Sequence, residues 1–150
     1  MVNRFLPDVE RERRAAMQTL ARLGWGQSNP AFRAMFTAQF MPDASKDDFD
    51  SFSEFGRKCI SPENAARYLD AVGDLNVTDL LGKIRAPTLV GHARGDERTP
   101  FDGGRELAAC IPGARFVPFP GRNYVLLPGH PARAIWEQEV ERFLNEPDRD

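Results

Sequence analysis

An acyl-transfer relay needs three side chains: a hydroxyl nucleophile, an imidazole of pKa about 6.5 to take and return its proton, and a carboxylate to orient the imidazole. The chain has two histidines, His92 and His130, and a carboxylate, Asp96, in the stretch "ARGDERTP" between an apolar run and a helix start. Ser28, in "GQSNP" at residues 26–30, gives the nucleophile–acid–histidine order Ser28, Asp96, His130. The local pattern speaks against that relay. No G-x-S-x-G occurs in the chain, and "GQSNP" ends in proline after a segment that reads as helix. The sharp strand-to-helix turn that exposes a nucleophile and aims amides at an oxyanion is therefore lacking. Ser28 or Asn29 capping the next helix is the plainer reading. His92 falls inside a strand pattern, where packing is the plainer role, and His130 opens the last helix. Asp96 alone does no acyl chemistry; as a turn residue it would accept nearby backbone amides.

Other chemistries find less support. Arg94, Glu97 and Arg98 read as a solvated rim rather than a substrate clamp. No zinc-like ligand set, phosphate-cradling glycine loop or dinucleotide fingerprint is present, so neither metal nor cofactor is expected. The formal net charge is −2 and no strongly basic stretch stands out, which argues against a nucleic-acid surface. No apolar run approaches the ~18 residues of a membrane span. "MVNRFLPDVERERR" lacks the apolar core and cleavage site of a signal peptide, so a cytoplasmic location is expected. Cys59 and Cys110 lie far apart without C-x-x-C spacing and are expected to be buried, reduced thiols.

The elements that would position these residues change character near residue 85. Before it the pattern is helical. Val9, Arg13, Ala16, Leu20 and Leu23 mark one face of a first helix that Gly24 should close. Asn29-Pro30 open a second, with Phe32, Met35, Phe36 and Phe40 at helical spacing. Ser45 and Asp48 form a capping box for a third, with Phe49 and Phe52 inward, ending near Lys58. Ser61-Pro62 start a fourth, with Ala65, Tyr68, Leu69 and Val72 on its inner face. A short helix follows over residues 78–83. After residue 85 come a strand near residues 88–92, a helix from Thr99-Pro100 to Pro112-Gly113, a strand near residues 115–118, and a last helix with Ala132, Trp136, Val140 and Phe143 inward. Gly103-Gly104 should allow close packing of the middle helix. Strands joined through helices run parallel with right-handed crossovers. Two parallel strands alone leave edges open, so the chain reads as the closing part of a larger α/β sheet.

From Asn76 onward, the run "VTDLLGKIRAPTLVGHARGDERTPFDGGRELAACIPGARFVPFPGRNYVLLPGHPARAIWEQEVERFL" resembles the C-terminal third of an α/β-hydrolase. The carriers are the "IRAPTLV" strand, the turn with Asp96, the "PFDGGRELAACIPGA" helix, the last strand and its loop, and the closing helix. The resemblance implies that residues 1–75 are a helical cap-like region and residues 76–150 the last two parallel β–α units of a partial α/β-hydrolase-like sheet. It puts Asp96 at the relay-acid position and Tyr124 where the family has its histidine. A phenol titrates at about 10 and holds its proton at neutral pH, so Tyr124 does not simply replace that base. Sequences of this kind often stand beside signalling or transcription-factor domains, which implies a regulatory role.

The expectation is an α/β-hydrolase-like C-terminal domain that is non-catalytic on its own and regulatory or ligand-binding. The alternative is part of an esterase-like serine hydrolase whose nucleophile segment lies outside this chain. The chain has 11 phenylalanines, and Phe32, Phe36, Phe40, Phe49, Phe52 and Phe55 read either as helix–helix core or as the lining for an apolar small-molecule ligand. The open edge of the first strand points to a homodimer, or to association with a missing N-terminal half. Pro87 and Gly91 weigh against direct edge pairing.

Overall fold

The structure, a computed structural model, describes residues 8–25, 27 and 30–146. Its elements in chain order are α1 (Asp8–Gly24), α2 (Pro30–Phe40), α3 (Lys46–Cys59), α4 (Pro62–Asp74), α5 (Thr78–Leu81), β1 (Leu89–Ala93), α6 (Phe101–Cys110), β2 (Arg115–Phe119) and α7 (Pro131–Asn145). This is a helical region followed by two parallel β–α units. The chain forms two compact units: one runs through Gln39 and resumes over Ala44–Thr78, and the other joins Phe40–Asp43 to the segment from Asp79 onward.

In the first unit, local signals set the helix starts. The Ser45 hydroxyl accepts from the Asp48 amide and donates to its carboxylate at 2.6 Å, and Ser61 accepts from the Asn64 amide ahead of Pro62. α1 packs on α4. Among the described residues the buried positions on the two helices are small: Ala21, Gly24, Ala65 and Ala66. Small residues let helix backbones approach closely, and this corrects two expected inner faces: Leu23 and Tyr68 are exposed rather than inward, because the seam runs through the small residues near them. On α2, Met35 is exposed as well, while Phe36 and Thr37 are buried. Phe36 is core, with Trp25 and Phe32 each at 5.3 Å between ring centroids, whereas Phe55 is exposed.

In the second unit β1 and β2 pair in parallel, Leu89 opposite Arg115 through Ala93 opposite Phe119. Successive strand residues point to opposite faces. Gly91 faces Trp136 of α7, and His92 faces Gly104 of α6, so a helix covers each face of β1. On the α7 side Ala93, Phe119 and Ala132 form a buried cluster, with Leu126 and Trp136 packed against it. Gly104 does provide the expected close packing: a Cβ there would lie 2.3 Å from His92 Nδ1, while Gly103 faces open space.

The Thr88 carbonyl accepts from the Arg115 amide and the Arg94 amide donates to the Phe119 carbonyl, both at 2.9 Å. Even-numbered residues of β1 therefore turn their backbone groups toward β2. The backbone groups of Leu89, Gly91 and Ala93 turn to the other edge, where no strand pairs among the described residues. Cys59 and Cys110 are free and exposed, not buried as expected, because each is the last residue of its helix. No helix among the described residues is long and apolar enough to cross a membrane.

Candidate functional site

The loops that leave β1 and β2 are zipped together. Beyond the strand ladder, the Gly95 amide donates to the Gly121 carbonyl at 3.0 Å. Gly121 has φ 104°, a left-handed conformation that favours glycine and turns the chain sharply after β2. The Asp96 turn and the loop bearing Tyr124 are thereby brought side by side, at the end of the sheet where α/β folds place their ligands.

Asp96 closes its own turn. Its Oδ1 accepts from the Arg98 amide at 2.7 Å and the Thr99 amide at 3.1 Å, and its Oδ2 accepts from the Thr99 hydroxyl at 2.8 Å. The Asp96 side chain is only 4% exposed. His92 backs this turn: its Nε2 lies 3.0 Å from the Thr99 carbonyl and 3.6 Å from Asp96 Oδ2. Its ring stands edge-on to Phe101, in keeping with a packed role. Three of the carboxylate's roughly four acceptor positions thus serve the backbone and side chain of the turn itself, and the imidazole near it, His92, is the packed one behind the turn.

Tyr124 is half exposed, and its ring meets Phe40 at 5.8 Å between centroids, nearly perpendicular. The Tyr124 and Val125 amides both donate to the Phe40 carbonyl, at 2.8 and 3.2 Å. Asn123, 2% exposed, accepts from the Asp43 amide at 2.8 Å, and its Nδ2 has no hydrogen-bond partner. Arg122 completes the clamp. Its Nε donates to Asp43 at 2.9 Å, its backbone amide donates to the same carboxylate, and Nη1 reaches Glu97 at 3.3 Å. Hydrogen bonding from the Arg122 guanidinium holds the Asp43 carboxyl below the usual carboxylate range, against a smaller opposing effect of burial. Segment Phe40–Asp43, the Asp96 turn and the Tyr124 loop thus form one hydrogen-bonded assembly within the second unit.

The expected solvated rim needs correction at Arg98. It is half-buried, and its guanidinium carbon stands 4.7 Å from the centroid of the Phe40 ring. Stacking on an aromatic face suits a planar, weakly hydrated guanidinium. Arg94, by contrast, is exposed, over Phe101 at 5.6 Å. His130 caps α7, its Nδ1 accepting from the Ala132 amide at 3.2 Å. Its ring lies against Gly121, near the Tyr124 loop, but the lone pair that a general base would use holds the helix end. Ser28 lies outside the described residues. Asp43, Arg122 and Asn123 went unrecognised in the sequence, because partners 79 and 80 residues apart leave no local spacing to read.

No family model matches the chain. A non-heme chloroperoxidase of Kitasatospora aureofaciens is 33% identical over 86 residues, which cover 55% of this chain and 30% of that relative. Among solved structures, an esterase from Exiguobacterium antarcticum superposes with a TM-score of 0.71 at 19% identity, covering 88% of this chain and 48% of the esterase. A hydrolase from Pseudomonas aeruginosa gives a TM-score of 0.71 at 23% identity over 94% of this chain and 52% of that one. A bromoperoxidase from Bacillus anthracis gives 0.68 at 21% identity, covering 88% and 49%. The chain spans about half the length of these structures and less than a third of the chloroperoxidase. With two parallel β–α units behind a helical region and these structural likenesses, the chain has the fold of a C-terminal part of an α/β-hydrolase.

Proposed function

We propose that this chain is non-catalytic on its own and acts as a ligand-binding or regulatory relative of the α/β-hydrolases. The observation that carries the reading is the closed Asp96 turn, whose carboxylate is engaged on both oxygens, beside a loop that offers Tyr124 and no imidazole base. The exposed part of the Tyr124 ring offers apolar surface to a small-molecule ligand. Two free, exposed cysteines suit a reducing compartment and support a cytoplasmic location as part of the proposal. Restoring the imidazole tests the reading. Tyr124→His is expected to give no hydrolysis of p-nitrophenyl acetate above the buffer rate. Turnover in that variant, abolished by adding Asp96→Ala, would overturn it.

A second reading is favoured by the open edge of β1 and the half-length match to esterase structures. The chain would then be one part of an esterase-like hydrolase, with a nucleophile-bearing segment supplying the next strand. Both readings call for association, because half-buried, unpaired backbone groups at Leu89 and Gly91 each cost about 1–3 kcal/mol where water cannot reach them. A homodimer, or a complex with a strand-supplying segment, would relieve that cost. Light scattering at high micromolar concentration is expected to give at least twice the 16.9 kDa chain mass for the isolated chain. A monodisperse, cooperatively folding monomer would contradict self-association.

A further inference from the structure

We infer that β1 pairs antiparallel with β1 of a second copy, about a two-fold axis at Gly91, and that α7 packs beside its counterpart over the joined sheet; the inference rests on the association proposed above and assigns it an interface. Two uncovered surfaces meet there. One is the backbone of Leu89, Gly91 and Ala93, which turns away from β2 to an edge that no strand covers among the described residues. The other is a flank of α7. Arg115 of β2 reaches Glu139, Phe143 and Glu146, whereas Trp136 stands over Gly91 of β1. Side chains advance by about 100° per residue around a helix. The rotation that leads from Glu139 and Phe143 to Trp136 leads on to Val140 and Leu144, so these two hang past the last strand. Leu144 is 73% exposed, and a hollow of about 390 Å³ runs along Trp136, Val140 and Leu144, with Glu137 and Glu141 beside them.

A second copy covers both surfaces at once. With Gly91 on the axis, Leu89 meets the second copy's Ala93, and every residue with outward backbone groups has such a residue opposite it. Pro87, which has no N–H to give, stays outside that register, and a strand glycine admits the close approach of another backbone. α7 spans both strands, so pairing sets its two copies about two strand spacings apart, roughly 10 Å, the distance at which helices pack. α6 is set in the same way on the other face, since it meets His92 of β1 and Phe116 of β2.

Charge selects a second copy over a strand from another protein. Arg133, Glu137 and Glu141 recur every fourth residue and form one stripe beside Val140 and Leu144. Trp136 marks the level of the axis on α7, so antiparallel copies lay Arg133 of each against Glu141 of the other. Arg133 keeps Glu137 at 2.7 Å in its own helix and has further guanidinium donors to give. Glu141 is exposed and forms no ion pair among the described residues. The stripe is thus self-complementary about the same axis that the strand register sets.

Sedimentation equilibrium of the full chain, with amide hydrogen exchange at Gly91, tests this. A dimer is expected, in which the Gly91 amide is protected at high concentration and exposed on dilution. Arg133→Glu and Glu141→Arg are each expected to raise the dimer Kd about tenfold, since each turns two attractions into two repulsions, and the double variant is expected to restore it. Leu89→Pro is expected to give a monomer, because the N–H it removes points away from β2 and the ladder to β2 survives. A dimer that none of the charge variants weakens, or one in which Gly91 exchanges as fast as in the dilute chain, would overturn the inference and leave association standing. Should Leu89→Pro fail to fold by circular dichroism, the charge variants on the surface of α7 decide. A monomer at every concentration would remove both this interface and self-association.

Discussion

Gly91→Val is expected to destabilise the second unit by about 3 kcal/mol, the upper range for forcing methyl groups into a packed core. A Cβ at Gly91 would lie 2.3 Å from Trp136 Cζ3 and within 2.9 Å of two further atoms of the same ring. The indole cannot yield locally. It stands against Phe119, with ring centroids 6.1 Å apart, and packs on the cluster of Ala93, Phe119 and Ala132. Valine would favour the strand by propensity, but it would push α7 off β1 or swing Trp136 into water. Gly103→Ala is the control. It lies in α6 with nothing within 4 Å of its added Cβ, and is expected to be neutral or to stabilise by up to about 1 kcal/mol. Urea unfolding followed by Trp fluorescence measures both. A Gly91→Val chain as stable as the unmodified one would mean that α7 does not rest on β1 as described.

Asp96→Ala is expected to cost about 3 kcal/mol, because it strands the Arg98 and Thr99 amides and the Thr99 hydroxyl in a half-buried turn, and each lost partner costs about 1–3 kcal/mol before water offsets part of it. Asp96→Asn should recover part of the loss. An amide oxygen can still accept from both backbone N–H groups, but the amide nitrogen cannot accept from the Thr99 hydroxyl. A relay acid would behave differently: its removal would abolish turnover while leaving the turn largely intact. Full stability in Asp96→Ala would show that the carboxylate is not the turn's closing group.

What could be read from the sequence was local or periodic. Ser45 and Ser61 announced their helices because a cap bonds an amide three residues away, and both bonds form. The two strands, their parallel pairing and the inward face of α7 followed from apolar runs separated by a helix. The errors came where size misleads. Ala65 was expected inward and is buried, but beside it the described buried positions of α1 and α4 are Ala21, Gly24 and Ala66, which no large-residue pattern marks. Leu23 and Tyr68 are left outside. Of the hydrogen-bonded assembly at the ends of the strands, only Asp96 and Tyr124 stood out in the sequence. Segment Phe40–Asp43, which joins them, reads as the end of a helix and a break. Its role depends on Arg122 and Asn123, which are distant in sequence and near only once the chain has folded.

The central claim, that this chain alone holds no activated acyl nucleophile, is tested most directly by covalent labelling. A fluorophosphonate reacts with a serine only where a base and an oxyanion hole activate it. Intact mass spectrometry of the folded chain after prolonged exposure is expected to show unmodified protein, in the unmodified sequence and in Tyr124→His alike. A stoichiometric adduct on one serine, Ser28 included, that disappears on unfolding or with Asp96→Ala would contradict the claim and make the chain a hydrolase in its own right.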